Sequence, residues 1–154
     1  MSYFEDLSPY AYARLAEDKG AVNVGWLEGD CEYPTGPVPD GFVERLDWLC
    51  MLPVRLTRGW QQCTLNPAAT SCREYPVDGG LGSAEIRAEG ADGTVYAAPD
   101  LIIHYVVVHG YRPPEPFIEA VMALDRPPDP RTWYRRWDPD RCMALGYGAE
   151  PAND

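Results

Sequence analysis

Ser83-Ala84-Glu85-Ile86-Arg87-Ala88 and Thr94-Val95-Tyr96-Ala97-Ala98, separated by a turn built on Gly90-Ala91-Asp92-Gly93, decide how this chain folds. Two short runs joined by a loop carrying two glycines and an aspartate read as an antiparallel hairpin. Glu85 and Arg87 alternate with Ile86 and so share one face, which is expected to look outward with both charges exposed. Downstream, Asp100 to Tyr111 is apolar all round and rich in Val and Ile, which leaves a buried strand and a helix both open. Pro113-Pro114 then begins a firmer helix carrying Phe117, Val121 and Leu124 on one stripe.

Upstream of the hairpin, Asp40 is expected to cap a helix running to about Leu52, with Phe42, Leu46 and Leu49 as its core stripe and Pro53 ending it. Val22, Val24 and Trp26 read as one face of a strand, and Val54 to Thr57 as another short strand. Ser8 with Pro9 suits the start of a short helix within Tyr3–Ala16. Adjacent strands joined by a tight loop favour a single α+β domain. Its expected form is a small antiparallel sheet around the 83–98 hairpin, covered by helices near 40–52, 100–110 and 114–124. The alternative is a mostly helical fold with one hairpin. Residues 1–125 form the expected core domain. Residues 126–154 follow as a segment linked through Arg126-Pro127-Pro128-Asp129-Pro130, docked on the core and ending in disorder.

With 154 residues, 45% hydrophobic and 24% charged, the chain is long enough and apolar enough to enclose a core, which excludes wholesale disorder. No stretch approaches the roughly 18 apolar residues of a membrane span. Met1-Ser2-Tyr3-Phe4-Glu5-Asp6 has neither a basic nor an apolar leader pattern, so a cytoplasmic location is expected. The net charge of −11 is uneven, with ten acids against three bases (−7) in residues 1–50. That field repels phosphate backbones and argues against nucleic acid as a partner.

The 5 cysteines, at 31, 50, 63, 72 and 142, form no C-x-x-C pair, and an odd count argues against a disulfide framework. Cys50 reads as a small buried hydrophobe. Cys63 and Cys72 are the pair close enough in sequence to share a role.

Several blocks in this order resemble an uncharacterised family of short bacterial proteins: Tyr3-Phe4-Glu5-Asp6-Leu7-Ser8-Pro9-Tyr10, Asn23-Val24-Gly25-Trp26-Leu27, Thr57-Arg58-Gly59, Gly82-Ser83-Ala84-Glu85-Ile86-Arg87, Tyr96-Ala97-Ala98-Pro99, and His104-Tyr105-Val106 with His109 and Tyr111. The resemblance spans roughly residues 3 to 124 and implies no activity, because the family is a domain of unknown function. It does imply a His and a C-x-x-C just after the Arg-Gly step. Cys63 matches the first of those cysteines, while Gln61 and Asn66 stand at the positions of the His and the second Cys. Neither replacement is a good zinc ligand.

Cys72 is the candidate substitute thiolate, and His104 and His109 the candidate imidazoles. On a helix a five-residue spacing turns two side chains about 140° apart, and on a strand it sends them to opposite faces. His104 alone is therefore expected to join Cys63 and Cys72, with no cofactor or a zinc content well below one ion per chain. Cys63 with His104 also has the residue types of an activated nucleophile. No Gly-x-Ser-x-Gly, phosphate-loop or His-Glu-x-x-His pattern supports an enzyme, and no catalytic residue is assigned. Glu28, Asp30 and Glu32 read as a solvated acidic loop without EF-hand spacing. Trp133, Arg135, Arg136 and Trp137 are candidate anchors for a protein partner, against the simpler reading that this segment packs on the core. The functional expectation is a non-enzymatic interaction module of the adaptor, regulatory or immunity type. A zinc protein or small enzyme using Cys63, Cys72 and His104 is the alternative.

Overall fold

The computed structural model describes residues 3–10, 18–29, 31–56, 63–65 and 82–148. The hairpin forms from β2 (Glu85–Glu89) and β3 (Val95–Pro99), with Arg87 opposite Ala97 and Glu89 opposite Val95. Its loop closes through Gly90 N–H to Thr94 O (2.8 Å) and Gly93 N–H to Gly90 O (3.0 Å). Gly93 sits at φ 87°, in the left-handed region that glycine enters without a Cβ penalty.

The sheet is mixed rather than purely antiparallel. β1 (Val22–Asn23) lies along the other edge of β3 and runs parallel to it, Val22 opposite Tyr96, in the order β1-β3-β2. A parallel partner is reached by a long crossover, so neighbouring sequence carries no sign of it. β3 is thereby central, and all five of its residues are buried. The strand expected to continue through Trp26 stops early because Gly25 turns at φ 78°. Val24 therefore joins one core and Trp26 another. Ser8–Tyr10 is extended rather than the start of a helix: Pro9 bridges Val22, and Tyr10 N–H reaches Ala21 O at 2.9 Å. Val54 forms a single antiparallel bridge to Glu85 in place of a strand.

Helix α1 (Phe42–Cys50) buries Phe42, Leu46 and Leu49 as expected from their spacing. Its N-cap is Gly41 at φ 86°, not Asp40, so the cap residue offers no side-chain hydrogen bond to the first turn. The ambiguous apolar segment is helix α2 (Ile102–His109), stopped by Gly110 at φ 68°; the N–H groups of Gly110 and Tyr111 both bond the Tyr105 carbonyl. Helix α3 (Glu115–Met122) buries Phe117, Ile118, Ala120 and Val121. Helices α4 (Pro130–Trp137) and α5 (Pro139–Ala144) are capped by Asp129 and Asp138, whose side chains accept from backbone N–H groups. Among the described residues no helix is long and apolar enough to cross a membrane.

The alternation of β2 and β3 separates two cores. Ile86, Ala88, Tyr96 and Ala98 face α1, α2 and α3; Val95 and Ala97 face a second cluster with Tyr10, Trp26, Leu52, Val54, Tyr134 and Trp137. The architecture is a single α+β domain with helices on one face of the sheet, and the N-terminal segment plus α4 and α5 on the other.

That second layer corrects the reading of Arg87 and Glu85. They do share a face, but the face is covered. Arg87 is fully buried, its Nε donating to Asp18 Oδ1 (3.0 Å), Nη1 to Glu85 Oε1 (2.9 Å) and Nη2 to Tyr10 Oη (3.3 Å). Asp18 also receives Arg55 Nη2 at 2.7 Å, and Arg55 N–H donates to Asp138 Oδ2 (3.0 Å). One buried ion network thus joins the N-terminal segment, the hairpin and the C-terminal helices.

Candidate metal centre

Leu65 is buried in the first core and fixes the short 63–65 stretch, whose Cys63 packs partly buried against the same cluster. On its other side Thr64 O sits so close to Gly29 that a Cβ there would stand 2.7 Å away. The turn carrying Gly29 is closed by Cys31 N–H to Glu28 O (3.0 Å). Cys63 is thereby held against the C-terminal half of α2.

From α2, His104 projects into the core at 3% exposure, and His109 is the last helical residue before the Gly110 stop. Cys63 Sγ lies 3.3 Å from His109 Nε2. The two imidazole centroids are 5.2 Å apart with planes inclined by 68°. One donor atom from each of Cys63, His104 and His109 lies within 4.8 Å of the other two. Both histidines therefore reach the cysteine, where the helical-wheel angle predicted that only His104 would. Cα–Cβ bonds in a helix tilt toward its N-terminus, so the His109 ring leans back over the preceding turn, where it also meets Tyr105 at 6.5 Å.

Burial, then the neighbouring His104, hold the His109 pKa below the ordinary imidazole value, so the ring is neutral near pH 7. Neutral imidazole is the form that binds metal. Around a tetrahedral zinc, Zn–S of about 2.3 Å and Zn–N of about 2.0–2.1 Å place sulfur and nitrogen about 3.5 Å apart. The 3.3 Å Cys63–His109 contact is close to that edge length. The same contact is also the geometry of a thiol–imidazole pair, with His109 rather than His104 in the partner position.

Cys72, Gln61 and Asn66 lie outside the described residues, as does Asp30. Glu28 and Glu32 line an open groove of about 840 Å³ together with Tyr3, Cys31 and Thr64, beside the cluster. Cys50 is half-buried as a small hydrophobe, its thiol at 3.7 Å from Asp100 O and its pKa pushed up by burial. In the C-terminal segment, Trp137 is buried in the second core at 2% exposure, and Trp133 is half-buried against it. Arg136 lies over the Trp137 ring at 4.2 Å and pairs with Glu89 through two nitrogens; Arg135 is half-buried. Trp137 thus packs inside the protein, in the manner that a one-turn spacing of tryptophans on a docked helix allows.

A family model described as Domain of unknown function (DUF7919) matches residues 2–122. The chain belongs to this family. No curated protein and no solved structure matches it. Cys63, His104 and His109 all fall within the matched span of the DUF7919 domain, whereas α4 and α5 lie beyond it.

Proposed function

We propose that this domain holds one zinc ion through Cys63, His104 and His109, with Cys72 as the fourth donor, and that it works by protein contact rather than by catalysis. The observation that carries the proposal is the convergence of three N and S donors, from two separate segments, within 4.8 Å. A thiolate with imidazoles is the donor chemistry of zinc, and hard cations such as magnesium or calcium prefer oxygen. The ion's role is structural. It ties Cys63 to His104 and His109, 41 and 46 residues further on (104 − 63 and 109 − 63), so it removes unfolded-state freedom as a long-loop cross-link does. The expectation of little zinc rested on Gln61 and Asn66, and the second histidine supplies a donor that expectation left out.

Metal analysis of protein purified without chelator should find about one zinc per chain, and chelation should lower the melting temperature. Cobalt substitution should give a tetrahedral spectrum with thiolate charge transfer, weakened in Cys63→Ser and in Cys72→Ser and lost when both are replaced. Zinc far below one per chain, with a melting temperature indifferent to chelator, would remove the proposal.

The contact role is supported by the charge of residues 1–50 and by the groove lined with Glu28 and Glu32 next to the cluster. A partner suited to it is a basic protein surface, whose association should weaken steeply with salt. Nucleic acid is disfavoured by the same charge.

A further inference from the structure

The DUF7919 span supplies Trp26, Leu52, Val54, Val95 and Ala97 to the second core, whereas Tyr134, Trp137 and Cys142, which cover them, come from beyond that span. The domain thus presents an apolar face, and α4–α5 is the element laid over it. That cover is closed on itself. Asp129 and Asp138 cap its two helices, Arg131 lies over the Tyr147 ring at 5.8 Å, and Arg141 lies over Tyr134 at 5.2 Å. It hangs from the core by a tether whose residues Asp125, Arg126 and Pro127 are exposed. It can therefore lift as one body and keep these contacts.

Lifting it strands no buried charge. Arg55 N–H donates to Asp138 Oδ2 (3.0 Å), but the Arg55 guanidinium keeps Asp18 (2.7 Å) when Asp138 leaves. Glu89 and Arg136, paired across the seam, are both exposed and hydrate on separation. A charge left alone in the interior is what makes most such seams costly to open. Within the cover, Trp133 Nε1 and Arg141 Nε are buried without a hydrogen-bond partner among the described residues, and lifting returns both to water.

The fit is also incomplete. A cavity of about 200 Å³ remains between Trp133 and Trp137 of the cover and Leu49, Ala88, Ala120 and Leu124 of the core. A tethered segment competes for its own site at an effective concentration of roughly millimolar. A free helix displaces it only by fitting better, and the unfilled space is where a better fit is available. A leucine or methionine side chain placed there buries apolar area that α4 leaves unused.

We propose that this face is the docking site for an amphipathic helix of a partner protein, and that α4–α5 is its built-in competitor. The partner helix carries two aromatic residues three positions apart, in the places of Tyr134 and Trp137. It adds a leucine or methionine for the empty space and an arginine facing Glu89. The face shares no residue with the acidic groove beside Cys63, so it stands whether or not zinc binds.

The probe is a fluorescein-labelled peptide of residues 129–148, titrated into the full-length protein and followed by anisotropy. Trp137→Ala loosens the cover and leaves the face intact, so it should bind the peptide saturably and about a hundredfold more tightly than wild type does. Glu89 is exposed, so Glu89→Arg tests the same face should Trp137→Ala not fold. That variant should prefer a peptide carrying Arg136→Glu, whereas wild type prefers the unchanged peptide. In wild type, α4 and α5 amides should exchange hydrogen at least tenfold faster than those of β2 and β3, corrected for intrinsic rates. Ala120→Val, which takes up part of the cavity, should slow that exchange several-fold. Equal protection of α4–α5 and the hairpin would overturn the proposal, as would one peptide preference shared by both proteins or no saturable binding to Trp137→Ala. A wild-type dimer that exchanges α4–α5 between copies at micromolar concentration would give the face to a second copy and overturn the partner assignment.

Discussion

Asp18 is the residue whose loss should cost this fold most per atom changed. Its carboxylate accepts Arg87 Nε on one oxygen (3.0 Å) and Arg55 Nε and Nη2 on the other (3.1 and 2.7 Å), and neither the Asp18 nor the Arg87 side chain has any exposed surface. Two unit charges about 4 Å apart interact by about 4 kcal/mol at an effective dielectric of about 20. Removing one partner of a buried pair costs about 3–5 kcal/mol, mostly as the penalty of stranding the other charge. Asp18→Asn belongs at the upper end of that range. The amide keeps one acceptor but turns its own donors toward one of the guanidiniums. Arg87→Met belongs at the lower end, because Asp18 keeps Arg55 and Glu85 keeps the Tyr10 hydroxyl at 2.7 Å. The two changes combined should cost less than their sum by about 1–3 kcal/mol. Urea melts of the wild type, both single variants and the double variant measure this directly. High salt should alter the differences little, since buried charges are poorly screened. If both single variants cost under about 1 kcal/mol, as an exposed pair would, the network does not hold the fold together.

Other expectations follow from single contacts. Burial raises Asp100 from 3.8 to about 6, against the opposing Gly82 N–H bond at 2.8 Å. Between those pH values the folded state keeps a proton that the unfolded state has released. Stability should therefore fall by about 3 kcal/mol as pH rises through the window, and Asp100→Asn should flatten that part of the profile. Gly25→Ala meets both a φ of 78° and Ile102 Cδ1 at 2.8 Å, so thermal melting should show a loss of about 1–3 kcal/mol. Trp137→Ala empties the second core and should cost about 3–5 kcal/mol in denaturant unfolding.

The parts of the fold legible in sequence are those whose cause is local. Phe42, Leu46 and Leu49 recur at helical spacing, and the Gly90–Gly93 loop declares its hairpin. Features that depend on distant chain could not be seen this way. Arg87 looks like a surface residue until Asp18 and Tyr10, some seventy positions away, cover it. Gly25 gives no sign that it will send Trp26 to the opposite core. At the Cys63–His104–His109 cluster, Cys63 and His104 are readable by residue type. His109 is not, because an angle around a helix axis ignores how far an imidazole leans along it.

The parallel seam between β1 and β3 also orders events in time. Val22 cannot pair until Tyr96 exists, and Asp6 waits still longer for the Tyr111 hydroxyl that donates to it at 2.8 Å. At synthesis rates of about 5–20 residues per second, the seventy-odd residues between the strands take roughly 4–15 seconds to emerge. Pairings this distant in sequence also form slowly once both partners are present. Throughout that interval the first fifty residues carry their charge of −7 with no sheet to join. Like charge of this size disfavours association between chains whose sheet is still incomplete, so the acidity of this segment matters to folding as well as to the surface of the finished domain.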